Sequence, residues 1–166
     1  MKLHIKILLI LFLFNSTSSA EELVESIYSF IGVQSSYTNY DSVSTPTFGL
    51  KYGKQTSKWR TAISYSYAQE SSHKFHSLIM QMDKGVLTDV FRDIPLKPYI
   101  GFSLGVMQDQ KNSSTDNGYL YGVNLGINYV LSNDFDIDFG YRYMRTDKLK
   151  DMDNRGDISL SLHYYF

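Results

Sequence analysis

Gly118-Tyr-Leu-Tyr-Gly-Val-Asn-Leu-Gly-Ile-Asn-Tyr-Val-Leu131 is the stretch that decides the fold. Tyr119, Tyr121, Val123, Leu125, Ile127 and Tyr129 share one parity, and Gly122, Asn124, Gly126 and Asn128 fill the other. Alternation of this kind is the mark of a β-strand with one apolar and one polar face.

Working outward, Phe135 to Tyr143 repeats the pattern, with Phe135, Ile137, Phe139, Tyr141 and Tyr143 opposite Asp136, Asp138, Gly140 and Arg142. At the C-terminus Ile158, Leu160, Leu162, Tyr164 and Phe166 oppose Asp157, Ser159, Ser161 and His163. Upstream, Tyr99 to Met107, Trp59 to Tyr67, Phe48 to Gly53 and Ile27 to Tyr37 alternate in the same way. A fourth strand, roughly Phe75 to Phe91, is less regular: Leu78, Met80 and Met82 are expected to face out, Gln81 and Asp83 in, with a bulge near Gly85. That makes eight strands. Gly53 to Lys58, Arg92 to Lys97 and Ser132 to Asp134 read as compact turns, whereas Asn39 to Thr45, Gln69 to Lys74, Gln108 to Asn117 and Thr146 to Arg155 read as more polar, longer loops. Short turns at one end and longer loops at the other are the periplasmic and extracellular sides of a membrane barrel, with both termini periplasmic.

Alternation alone does not say which face meets which solvent, because a soluble lipocalin-like barrel alternates with its apolar face inward. The polar parity decides. It is mostly Gly, Ser, Asn and Ala with a few isolated charges, which suits a crowded lumen. The apolar parity is graded: Tyr28, Tyr52, Trp59, Tyr99, Tyr129, Phe135 and Tyr164 lie near the turn end, and Tyr37, Tyr67, Tyr119 and Tyr143 near the loop end. Two aromatic girdles around an aliphatic band are what a bilayer selects. The expected fold is all-β, an eight-stranded antiparallel up-and-down transmembrane barrel of the outer-membrane type.

The N-terminus predicts export. Lys2 and Lys6 precede an apolar run, Ile7 to Phe14, and Ser18-Ser19-Ala20 supplies a small-x-small cleavage pattern. The run is too short for a spanning helix, which needs about 20 apolar residues. Residues 1–20 therefore read as a leader cleaved before Glu21, and residues 21–166 as one barrel domain. Losing the leader removes two lysines and no acid, taking the formal charge from −1 to −3. Without a basic stripe, that balance argues against a nucleic-acid partner. The absence of cysteine excludes disulfides, thiol catalysis and cysteine metal sites.

The whole mature chain resembles the small outer-membrane barrel superfamily of the opacity proteins, the outer-membrane-protein-X and Ail group, and the barrel of outer membrane protein A. The resemblance is most specific at the end, where Leu160, Leu162, Tyr164 and terminal Phe166 are similar to the C-terminal signal read by the outer-membrane barrel assembly machinery. Tyr99-Ile-Gly-Phe-Ser-Leu-Gly-Val106, after a proline, resembles the family's fifth strand. The resemblance implies outer-membrane lipid and lipopolysaccharide as surroundings. It does not imply an activity, since members serve as adhesins, serum-resistance factors or structural anchors.

Candidate chemistry lies on the lumen parity: Lys51, Arg60, Asp83, Asp136, Asp138, Arg142, Asp157 and His163, both signs in rough balance. Isolated charges in a low-dielectric lumen are costly, so a paired network holding the barrel shut is the favoured reading, and a selective path for small solutes the alternative. Lipid-A-modifying enzymes on this fold use a histidine with serine and an acid. Here His76, with Glu70, Ser72 and Ser77 nearby, matches none of their motifs, and His73 and His76 read as polar residues at a loop edge. Asn112-Ser113-Ser114 reads as a chance glycosylation pattern, and Asp151, Asp153, Asn154 and Asp157 as a solvated loop without the glycine and closing glutamate of a calcium-binding hand. No cofactor or catalytic residue is expected. Surface ligands held by the loops, with a side-chain-filled lumen beneath, are the expected function, and a small porin-like channel is its rival.

Overall fold

Alternation carried through every strand closes the chain on itself. The computed structural model describes residues 26–40, 43–70, 73–86, 90, 93–111, 114–149 and 152–166. The expected leader and its cleavage point lie outside them. The strands are β1 (Tyr28–Tyr40), β2 (Val43–Gln55), β3 (Trp59–Glu70), β4 (His73–Gly85), β5 (Leu96–Lys111), β6 (Ser114–Val130), β7 (Phe135–Asp147) and β8 (Asn154–Tyr165). Each pairs antiparallel with the next, and β8 returns to β1, giving a closed barrel. At that seam Phe30 faces Tyr165 and Asn39 faces Gly156. Beyond it the Phe166 N–H donates to the Ser29 carbonyl at 2.9 Å. Closure leaves no strand edge to be satisfied, which is what a bilayer demands of a sheet.

The strands run from 12 to 17 residues, longer than the roughly 9–11 that cross a bilayer. Their outward face is a continuous apolar belt: Ile31, Val33, Leu50, Ile63, Leu125 and Leu160 are each about half exposed. Water does not tolerate an unbroken belt of this kind, and lipid does. Tyr28, Tyr52, Trp59, Tyr129, Phe135 and Tyr164 ring the end that carries the termini, and Tyr37, Tyr119 and Tyr143 ring the other.

Tyr99 departs from the expected girdle. It shares the parity of Gly101 and Ser103, is only 8% exposed and points into the lumen. Gly126 and Gly140 make room for it, since a Cβ on either would stand within 2.8 Å of the Tyr99 hydroxyl oxygen.

The connections also differ from expectation. At the end away from the termini, β1 and β2, β3 and β4, and β5 and β6 are each joined by two residues, and β7 and β8 by six. At the termini end the longest connection of all, ten residues, links β4 to β5. Most of the polar sequence expected in loops is extended strand. Its polar groups pair across three of the hairpins, with Asn39 Nδ2 donating to Ser44 Oγ at 3.0 Å, Gln108 Nε2 to Asn117 Oδ1 at 3.2 Å and the Tyr143 hydroxyl to Asn154 Oδ1 at 2.7 Å. Such pairs let polar strands continue past the membrane. The fourth strand stops at Gly85 rather than Phe91, and its ladder is regular to the end, Lys84 facing both Trp59 and Ile100. No bulge interrupts it, and Val86 carries the same register one pair further by donating its N–H to the Pro98 carbonyl at 3.0 Å.

Candidate functional site

The lumen is the densest concentration of chemistry in the chain, and strand parity builds it. Lys51, Arg60, Asp83, Asp136, Asp138, Arg142, Asp157 and His163 are all buried there. With Arg155, which lies inside β8 and not in a loop, the buried lysine and arginines among the described residues number four against four aspartates. The position of Arg155, two residues before Asp157 on the same parity, was the signal available for it.

Nearest the termini, His163 Nδ1 lies 2.8 Å from Asp136 Oδ1, and Asn128 Nδ2 donates to Asp136 Oδ2 at 2.5 Å. The Tyr165 hydroxyl donates to the same carboxylate. Phe30 packs against His163, ring centroids 4.6 Å apart. A Cβ on Gly32 would meet His163 and one on Gly53 would meet Phe30, so these glycines leave space for the two rings.

In the next layer Arg60 Nε donates to Asp83 Oδ2 at 3.0 Å, and its Nη2 stands 2.5 Å from Asp138 Oδ2. The guanidinium lies over the Tyr99 ring at 4.5 Å, and the Tyr99 hydroxyl donates to Asp138 Oδ1 at 3.0 Å. Gln81 and Asn124 also donate to Asp83, so three side chains hold that carboxylate. Lys51 Nζ donates to Ser161 Oγ at 3.1 Å.

Further from the termini, Arg142 grips Asp157 Oδ2 through Nε at 2.9 Å and Nη2 at 2.8 Å. Arg155 Nε donates to Asp157 Oδ1 at 3.0 Å, and its Nη1 to Ser77 Oγ at 2.8 Å. A cavity lined by Lys51, Tyr99, Asn124 and Arg142 has a volume of about 10 Å³, room for about one water.

Above the charges sits a cap that sequence reading missed: Tyr40, Phe75, Ile79, Met107, Leu120 and Met144 turn apolar side chains inward. Tyr40 and Phe75 stack at 4.2 Å. Leu120 already stood on the polar parity of the stretch that decided the fold, and was the signal for the cap.

The remaining sequence candidates separate. His76 faces outward and meets the Tyr65 hydroxyl through Nδ1 at 2.8 Å, whereas Ser77 is buried in the lumen against Ser66 and Arg155. Adjacent strand residues on opposite faces cannot act on one substrate. Ser72, Asn112, Ser113 and Asp151 lie outside the described residues. Asp157 points inward to two arginines, away from any loop cluster. Leu160, Leu162, Tyr164 and Phe166 are all exposed, the first three along the outward face of β8.

Residues 7–166 match the family model described as the outer membrane protein beta-barrel domain. No curated protein matches the sequence. Neisserial surface protein A, a solved structure, is similar at 20% identity over 84% of this chain and 97% of that one, with a TM-score of 0.67. Outer membrane protein H of Pseudomonas aeruginosa is similar at 23% identity over 83% and 99%, with a TM-score of 0.61. Ail, the attachment invasion locus protein of Yersinia pestis, solved in complex with the heparin analogue sucrose octasulfate, is similar at 21% identity over 86% and 99%, with a TM-score of 0.51. At such identities the likeness concerns the fold.

Proposed function

The chain belongs to the outer membrane protein beta-barrel domain family, and from that premise we propose that this small outer-membrane barrel works as a sealed scaffold, presenting its hairpin end to surface ligands. The observation that carries the reading is the filled lumen, in which paired charges lie beneath an apolar cap. Ions crossing it would have to displace both.

In this reading the termini face the periplasm and the hairpin end faces outward. Its contact surface is a rim of strand residues such as Lys74, Gln108 and Arg145, and not a set of long loops. The lipid-facing belt meets phospholipid and lipopolysaccharide. The aromatic C-terminus, Leu160, Leu162, Tyr164 and Phe166, is what the barrel assembly machinery would read. No catalytic role is proposed, because His76 and Ser77 face opposite ways.

A narrow solute path is the second reading. It is favoured by Gln34 Oε1 and Ser36 Oγ, buried in the lumen wall without a hydrogen-bond partner. Planar-bilayer recording separates the two. The unmodified protein is expected to give at most small, rare conductance steps, and Asp138→Ala to give larger ones. Large, stable conductance from the unmodified protein would overturn the sealed scaffold and favour the channel.

A further inference from the structure

Charge on the lipid-facing parity of the strands is confined to the two rims. At the hairpin end Lys74, Arg145 and Asp147 carry it, and at the termini end Lys54 and Lys84. The termini rim therefore shows lipid one sign only. Both lysines are exposed, and among the described residues neither ammonium has a carboxylate partner. Of the described acids at this end, Asp83, Asp136 and Asp138 are buried in the lumen, and Asp93 and Asp134 lie in the connections between strands.

The charge is one-sided around the barrel as well. Lys54 on β2 faces Thr61, and Lys84 on β4 faces Trp59, so the two lysines flank β3. Two strand spacings and a two-residue offset put their Cα atoms about 12 Å apart, a gap that two flexible four-carbon stems can close. Lys84 Nζ lies 5.4 Å from the centroid of the Trp59 ring, and Thr61 sets its hydroxyl on the same face. On the opposite wall the rim is aromatic alone, with the rings of Phe135 and Tyr164 5.1 Å apart and those of Tyr164 and Phe166 6.4 Å apart. A lysine that only snorkels to water would serve equally on any strand. Two of them gathered with a hydroxyl around one tryptophan make a place for a phosphate.

We propose that the β2–β4 sector of the termini rim binds an anionic phospholipid, with Lys54 and Lys84 on its phosphodiester, Thr61 donating to it and Trp59 against its glycerol and upper acyl carbons. A zwitterionic headgroup brings an ammonium of its own, which the two lysines repel. With the termini in the periplasm, as proposed above, the site lies in the periplasmic leaflet; the site itself rests on the lipid-facing belt and not on that orientation.

Trp59 is the only tryptophan in the chain, so its emission samples the lipid beside the site. The full barrel is folded into phosphatidylcholine vesicles in which a rising fraction of the lipid is dibrominated phosphatidylglycerol or, in a parallel series, dibrominated phosphatidylcholine. Quenching is read against the same variant in unbrominated lipid. Phosphatidylglycerol should take the place beside Trp59 about fivefold more readily than phosphatidylcholine, the factor that one lysine's attraction to an anionic surface supplies. Lys54→Gln alone should lower this preference while leaving the contact of Lys84 with Trp59 in place. Lys54→Gln with Lys84→Gln should bring it to about one, as should salt at about 1 M, where the screening length falls to about 3 Å. Lys148→Gln, at the other end, should leave it unchanged, and glycerol phosphate in solution should not compete.

The proposal is overturned if the two brominated lipids quench alike, or if the double variant keeps the preference while still migrating as a folded barrel in unheated gels. Displacement by glycerol phosphate would make the site one for a free anion and overturn the lipid assignment. The vesicle preference is read whichever way the barrel points, so an error in the proposed orientation would leave it standing.

Discussion

The two halves of the lumen fill the same cylinder in opposite ways. Toward the termini and through the middle the inward parity carries Arg60, Asp83, Asp138, Arg142 and Asp157, each fixed by directional bonds to named partners, and Arg155, opposite Met144 at the level of the cap, reaches down to Asp157. Toward the hairpins the same parity carries Phe75, Ile79, Met107, Leu120 and Met144, which touch without direction. The charged half is specific and brittle, because removing one group leaves another buried and alone. The apolar half is tolerant, because volume is all that it must supply. Each needs the other, since the cap keeps water away from ion pairs whose strength depends on a low dielectric.

Three substitutions break or sharpen this contrast, each read by urea unfolding in lipid vesicles with Trp59 emission as the signal. Asp157→Ala strands both Arg142 and Arg155 and should cost about 3–5 kcal/mol. Leu125→Arg places an unpaired charge on the lipid face at mid-strand and should cost about 2–4 kcal/mol. A smaller loss there than at an exposed rim position such as Lys74 would mean that the faces are wrongly assigned. Met144→Leu keeps the cap's volume and should cost less than about 1.5 kcal/mol. If Asp157→Ala and Met144→Leu were equally mild, the two halves would not differ in kind.

The outward face was legible within the membrane because there it meets lipid alone, so a single rule holds from Ile31 to Leu162. The inward face meets two environments, and a rule of small polar residues describes only one of them. Phe75, Met107 and Met144 follow the parity yet belong to the other environment, so the cap was missed. Tyr99 was misplaced for a related reason: tyrosine suits both a membrane interface and a polar lumen, and only Gly126 and Gly140 reveal which it occupies. The hairpin ends were hidden because Asn, Gln and Ser signal a loop when read singly. Across a ladder they pair with one another, as Asn39 does with Ser44 and Gln108 with Asn117.

The seam between β1 and β8 has a bearing on time as well as shape. Seven of the barrel's pairings join strands that follow one another in sequence, whereas the eighth brings Phe30 to Tyr165 across nearly the whole chain. Hairpins can form early and locally; this contact must wait for everything between, and carries the loop-closure entropy of the entire cylinder. Until it forms, β1 and β8 each present an unpaired edge to hydrocarbon, where every open N–H and carbonyl is penalised. Partly zipped sheets are thus disfavoured inside the membrane, and the last strand to arrive converts an open ribbon to a finished cylinder in one cooperative step.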